Sequence, residues 1–341
     1  MKKLISILLA ALMTAALLAG CGSSGAGGAA ASAAASGSAG TSAAPASGGE
    51  LVFSTGGSQG TYYGYGSVLA QFISSKTGVS ITAVESGGSQ ANIEALEMGD
   101  AQLGFVQSDV MSYAYNGTNL FADTGAVTTF STVAALYKEQ VQIVTCDPSI
   151  QSVADLKGKN VSIGAAGSGV YYNAIDILGV YGLTEDDIKP TYQSFGDSAD
   201  SLQDGKIDAA FVVAGAPTTA ITSLATAKDV YLVSLDDEHV QKLIAASPYY
   251  SEYTIPADVY GLAGDTKTVA VGAVVIANDS VSADDVYAIV STIFENKDAI
   301  TQQHAKGAEL DVNEGASVTS VPYHPGAAKY FAEKGITVPT K

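Results

Sequence analysis

Leu51-Val52-Phe53-Ser54-Thr55-Gly56-Gly57-Ser58-Gln59-Gly60-Thr61-Tyr62-Tyr63 decides how this chain folds. Leu51 to Ser54 reads as a short buried strand. The glycines at 56, 57 and 60 break it, because glycine favours neither strand nor helix interior. From Thr61 to Lys76 the spacing becomes helical, with Val68, Leu69, Phe72 and Ile73 on one face and Gly78 past the end. Val79 to Val84 is a second strand, ending in Ser86-Gly87-Gly88-Ser89. Ala91 to Glu97 is a second helix, stopped at Gly99, and Leu103 to Val106 a third strand, followed by Gln107-Ser108-Asp109. Strand, glycine-rich turn, helix, strand is the pattern of an α/β parallel sheet.

The same order returns further along. Val161-Ser162-Ile163 is the strand, Gly164-Ala165-Ala166-Gly167-Ser168-Gly169 the turn, and Val170-Tyr171-Tyr172 opens the helix as Thr61-Tyr62-Tyr63 did. Gln193-Ser194-Phe195-Gly196-Asp197 stands where Glu85 to Ser89 stood. Leu202 to Gly205 matches Leu96 to Gly99, and Phe211-Val212 matches Phe105-Val106. A repeat on this scale predicts two similar lobes. The later elements are the strand Thr268 to Ala277, a helix from the capping signal Ser282-Ala283-Asp284-Asp285 through Ile300, and a helix from Gly326 to Lys334. They have no lobe of their own. The economical layout returns them to the first, with crossings near Tyr137 to Val144 and near Ala277.

Ahead of this body, Lys2 and Lys3 precede the apolar stretch Leu4 to Leu18 and then Leu18-Ala19-Gly20-Cys21. This is a signal peptide, too short for a stable membrane span. Its end resembles the bacterial lipobox, which implies cleavage before Cys21 and a diacylglycerol on its sulfur; the alternative is plain secretion. Residues 22–49 are almost wholly Gly, Ser and Ala, so nothing offsets the entropy of ordering them, and they read as a tether.

The 341 residues carry 34 acidic against 16 basic side chains, a net charge of -18, and every basic residue is lysine. That balance argues against nucleic acid as a partner. Two cysteines and three scattered histidines supply neither a disulfide scaffold nor a metal site, and Cys146 reads as an inert thiol.

Each glycine-rich loop lies between a strand and a helix start, where unpaired N–H groups and partial positive charge gather. Ser54, Thr55, Ser58, Thr61, Ser86, Ser89, Ser168 and Ser194 add hydroxyls, and Tyr62, Tyr63, Tyr171 and Tyr172 add faces with polar tips. Two such loops facing one cleft could hold a carboxylate without arginine. A rival reading takes Gly56-Gly57-Ser58-Gln59-Gly60 as a nucleophile elbow with His324 and Asp197 or Asp258. Against it, the repeat copy Gly167-Ser168-Gly169 breaks the pattern, and His324, between Pro322 and Pro325, is placed to fix a turn.

These residues resemble the TAXI solute receptors, the binding subunits of TRAP (tripartite ATP-independent periplasmic) transporters. The likeness rests on Ser54 to Tyr63, Glu85 to Ser89, Phe105 to Asp109, Leu156 to Lys159, Gly164 to Gly169, Gly215-Ala216-Pro217, Val321 to Ala327 and Tyr330-Phe331. The resemblance implies an α/β, type II periplasmic-binding-protein-like fold: two α/β lobes joined by crossing strands with a cleft between them. Lobe 1 would be 50–139 plus 278–341, and lobe 2 would be 140–277. It implies capture of a small organic acid or amino acid, such as glutamate, glutamine or a dicarboxylate, and delivery to an ion-gradient-driven permease. No cofactor, metal or catalysis is expected, and the protein would stand outside the cytoplasm on a lipid anchor. The family's binding loops fall here on Thr55, Gly57, Ser58, Gly60, Thr61, Tyr62 and Tyr63, on Ser86, Gly87 and Ser89, on Gln107 and Ser108, and on Ser168, Gly169 and Tyr171. Phe195 and Gly215 complete the expected set. Two departures stand out: Gly64 follows the tyrosine pair where the family often has proline, and arginine is absent. The same fold also serves ATP-driven importers.

Overall fold

The computed structural model describes residues 49–341. The signal peptide, Cys21 and nearly all of the tether lie outside the described residues. In chain order the elements are β1 (Leu51–Ser54), α1 (Thr61–Lys76), β2 (Ile81–Val84), α2 (Ser89–Met98), β3 (Leu103–Gln107), α3 (Ser108–Asn116) and β4 (Phe130–Thr145). Then come β5 (Asn160–Ser162), α4 (Val170–Val180), β6 (Lys189–Thr191), α5 (Phe195–Gln203), β7 (Ala209–Ala214), α6 (Thr219–Ala225), β8 (Tyr231–Leu232), α7 (Asp237–Ala246) and β9 (Ser251–Ile255). The chain closes with β10 (Thr266–Asn278), α8 (Ala283–Glu295), α9 (Lys297–Thr301), α10 (Val312–Gly315) and α11 (Pro325–Glu333).

The repeat read in the sequence is a repeat of topology. In the first unit β1 lies between β2 and β3, all parallel; in the second, β5 lies between β6 and β7, all parallel. Each unit is then closed by a long antiparallel strand, β10 against β3 and β4 against β7. The two long strands pair with each other, so one curled sheet runs β2-β1-β3-β10-β4-β7-β5-β6. Residues 273–277 of β10 pair with β3, whereas 266–270 pair with β9, so the strand changes partners around Gly272.

The cores follow this division. One apolar cluster joins α1 and β1–β3 to the late helices α8 and α11, and a second joins β5, α4 and α7 to the first half of β10. Helix α1 buries Tyr65, Leu69, Phe72 and Ile73, with Tyr65 stacked on Phe105, while Val68 is only half-buried. Burying each such side chain stabilises the fold by roughly 1.5–3 kcal/mol, and Leu69→Ala would cost about 2–5 kcal/mol. The helix predicted from Ser282 through Ile300 is interrupted at Asn296; α8 starts as expected, with the Ser282 hydroxyl accepting the Asp285 N–H.

Candidate ligand-binding cleft

In a parallel sheet the carboxyl ends of the strands and the starts of the following helices lie on one side. Here β1, β2, β5 and β6 are followed by α1, α2, α4 and α5, and all four helix starts line one cavity of about 70 Å3. Its walls are the loops at Gly56–Gly60, Ser86–Gly88, Ala165–Gly169 and Gln193–Ser194, the first residues of the four helices, and Gln107, Glu139, Val213 and Ala214 from β3, β4 and β7. Helices α1, α2 and α4 have glycine at the N-cap (Gly60, Gly88, Gly169) and no side-chain cap. Their first N–H groups therefore have no local side-chain acceptor and present partial positive charge to the cavity. Only α5 is capped, by Ser194.

Two of the glycines are dictated by close approach. A Cβ at Gly169 would stand 1.8 Å from Oε1 of Gln107, and Gly88 holds φ at +110° with Ser168 Cα 3.3 Å from where its Cβ would be. Around the same cavity, Tyr62 Oη, Gln107 Oε1, Glu139 Oε2 and Ser168 Oγ are buried without a hydrogen-bond partner. Buried polar atoms are normally paired, and leaving one unpaired costs about 1–3 kcal/mol. Four such atoms belong to residues that line one cavity, as donors and acceptors without a partner.

Glu139 is the acid of the cleft. It sits in β4, only 2% exposed, and Oε1 receives a long contact of 3.4 Å from the Tyr137 hydroxyl. Burial pushes its carboxyl up to about 8, the nearby Asp109 adds to this, and Tyr62, Tyr137 and Lys306 oppose it. The Tyr62 hydroxyl lies beside Glu139 and Ser89 but meets neither at hydrogen-bond geometry. Lys306 is itself paired to Glu309 at 2.5 Å. The lining contains no lysine or histidine.

The two units touch around the cavity. Thr61 Oγ1 donates to the Gly215 carbonyl at 2.8 Å, the Ala91 N–H to Gly167 O at 3.1 Å, and the Ala220 N–H to Gln59 O at 3.2 Å. A buried polar cluster adds Gln107 Nε2 to Asn173 Oδ1 at 3.1 Å and Asn173 Nδ2 to Asp109 Oδ2 at 3.0 Å. Desolvation raises the Asp109 carboxyl to about 6. This is a closed cleft.

Of the residues singled out in the sequence, Gly57, Gly60, Thr61, Tyr62, Ser86, Gly87, Ser89, Gln107, Ser168, Gly169, Ser194 and Phe195 line the cavity. The others do not. Ser58 is exposed; Tyr63 is half-buried; Thr55 donates its hydroxyl to Val84 O; Ser108 accepts from the Gly272 N–H at the strand crossing. Tyr171 points its hydroxyl at Glu185, and Gly215 stands behind the wall, where a Cβ would meet Lys306. Within each tyrosine pair position matters: Tyr62 stacks on Phe105 and faces the cavity, whereas Tyr171 packs against Tyr172 and Tyr192. His324 caps α11, its Nδ1 accepting the Gly326 N–H, as the flanking prolines suggested. Cys146 is half-buried, with its thiol raised by burial. Sequence reasoning missed Glu139. A charged residue inside Tyr137–Val144, already read as a crossing strand, was the available signal.

Two α/β lobes of matching topology, joined by two long strands and closed over a small cavity, define the periplasmic-binding-protein fold. The chain belongs to the NMT1-like family, which it matches over residues 53–335. It is similar to the alkanesulfonate-binding protein SsuA of Xanthomonas axonopodis pv. citri bound to MOPS, at 19% identity over 85% of each chain and a TM-score of 0.50. A solved protein of Bordetella bronchiseptica RB50 gives 16% identity, covering 83% of this chain and 88% of its own, with a TM-score of 0.50. At these identities the likeness is one of fold.

Proposed function

We propose that this protein is an extracytoplasmic solute receptor of the TAXI type, which captures a small organic acid or amino acid and hands it to an ion-gradient-driven TRAP permease. The observation that carries the reading is the cavity itself: three glycine-capped helix starts and four unpartnered buried polar atoms around about 70 Å3. Drug-sized sites typically occupy about 300–1,000 Å3, so the ligand is a small metabolite. Helix starts hold its carboxylate in place of the missing arginine.

The mechanism is a hinged trap. Lobe 1 (50–139 plus 278–341) and lobe 2 (140–277) turn about β4 and β10 near the points where these strands change partners. The ligand favours closure only through contacts it makes better in the closed state. Cys21, lipidated, tethers the receptor to the membrane through residues 22–49, and the permease reads the closed shape.

The test follows the melting temperature of the full chain, unfolded and refolded to strip carried-over metabolite, against amino acids and small carboxylates. A ligand at about a hundred times its Kd stabilises by about 2.7 kcal/mol. No shift across the panel would count against a receptor for this ligand class. Uptake in cells that stops on collapse of the ion gradient, and persists on ATP depletion, separates the TRAP route from an ATP-driven importer.

A further inference from the structure

We propose that Glu139 is a specificity-determining residue that selects ligands bearing an ammonium group, and that it gives up a proton to solvent as the ligand docks. The inference rests on the receptor reading above and names what distinguishes its ligand. A plain carboxylate satisfies the helix starts but not Glu139. The uncapped starts of α1, α2 and α4 offer donors to an anion. Beside the starts of α1 and α2, Glu139 Oε2 is buried with no partner, and the lining supplies no cation to pair with it. A buried carboxylate in that position stays neutral until an opposite charge arrives. A zwitterion meets both demands: its carboxylate lies against the helix starts and its ammonium against Glu139.

The groups that face Glu139 support this assignment. The Tyr62 hydroxyl on α1 and the Tyr137 hydroxyl on β4 are neutral, with burial raising both far above the usual tyrosine range. Asp109, at the start of α3, is a second acid and adds to the demand for a cation. Lys306 opposes it but is engaged by Glu309 and stands over the Tyr137 ring. Burial in the closed cleft raises the Glu139 carboxyl to about 8, which favours its protonated form at pH 7. An ammonium held against it makes the ionised form the stable one. No covalent bond changes; the proton passes to buffer.

Calorimetry on the full chain tests this with matched pairs, each L-α-amino acid against its 2-oxo acid, in buffers of different ionisation enthalpy. The expected result is binding of an amino acid about a hundredfold tighter than its 2-oxo acid, as for a buried charge pair against a truncated one. About one proton is released per ligand at pH 7. Glu139→Gln, which keeps the shape, abolishes both the preference and the proton release. Equal or tighter binding of the 2-oxo acid, proton uptake, or a preference retained in E139Q overturns the proposal and leaves the receptor reading intact. The wild-type pair comparison decides the matter even if E139Q does not fold. Absence of binding in both series overturns this proposal, and the receptor reading falls with it when no small carboxylate shifts the melting temperature either.

Discussion

Thr61 Oγ1, at the first turn of α1, donates a buried 2.8 Å hydrogen bond to the carbonyl of Gly215, just beyond β7. Helix and carbonyl belong to the two different topological units, so the bond joins them beside the cavity. Thr61→Val keeps the shape and leaves the carbonyl with the longer bond from Thr218 Oγ1 at 3.2 Å. The closed state then loses about 1 kcal/mol, which weakens ligand affinity about fivefold. Titration calorimetry checks the number, and an unchanged Kd would mean that this bond does not report closure.

Gly169→Ala acts on the same closure by steric means. Its methyl would fall 1.8 Å from Gln107 Oε1, across the lobe contact. Overpacking of this kind costs about 1–3 kcal/mol. The ligand-free protein can open to avoid it, so melting temperature should change little while affinity drops at least about tenfold. Small-angle scattering should show the variant staying expanded in the presence of ligand; compaction like that of the wild type would refute the account.

Tyr62→Phe removes one unpartnered hydroxyl from the cavity and nothing from the core stack on Phe105. Affinity should fall about five- to tenfold. Tyr63→Phe and Ser58→Ala, outside the lining, should bind as wild type. A loss in either of these two would place the ligand elsewhere.

Asp109 and Glu139 each tie the stability of the closed cleft to pH, against the opposite pull of the buried His304 and His324, whose imidazoles burial lowers. Both carboxyls are raised by burial, to about 6 and about 8. A raised folded-state value means that the folded form binds protons the unfolded chain has released. The stability contributed is therefore full below the ordinary carboxylate range and is lost as pH rises, through 6 for Asp109 and then 8 for Glu139. Above the histidine range, between about pH 7 and pH 8.5, the melting temperature of the ligand-free protein should decline, and E139Q should flatten that decline. A curve rising over that range would show the acids to be ionised and paired.

Much of this was readable along the chain. The glycine-rich turns end their strands, so β1, α1 and β5 lay in the sequence with nearly their observed limits, as did the start of α4. The repeat was legible because each lobe solves the same local problem with the same turn. What the sequence could not rank was direction. Tyr62 and Tyr63 are adjacent and chemically identical, and the 3.6-residue period of α1 sends only the first onto Phe105 and the cavity. At α4 the pairing of Tyr171 with Glu185 takes that ring outward.

Composition and periodicity alone determined that the body is an α/β repeat with hydroxyl-rich, glycine-rich loops and no guanidinium to bind an anion. Only tertiary structure decided that four helix starts share one cavity and that Glu139 stands among them. Local turns and helices depend on neighbours in sequence. The cavity depends on β4 and β10 changing partners, and the uniformly apolar run Val269–Ala277, interrupted by Gly272 alone, bears no mark of which lobe each residue serves. The acid's state depends on what surrounds it in space: burial, two tyrosines, Asp109 and a lysine already engaged by Glu309. Those are distances between residues far apart in the chain, and no reading of one segment at a time contains them.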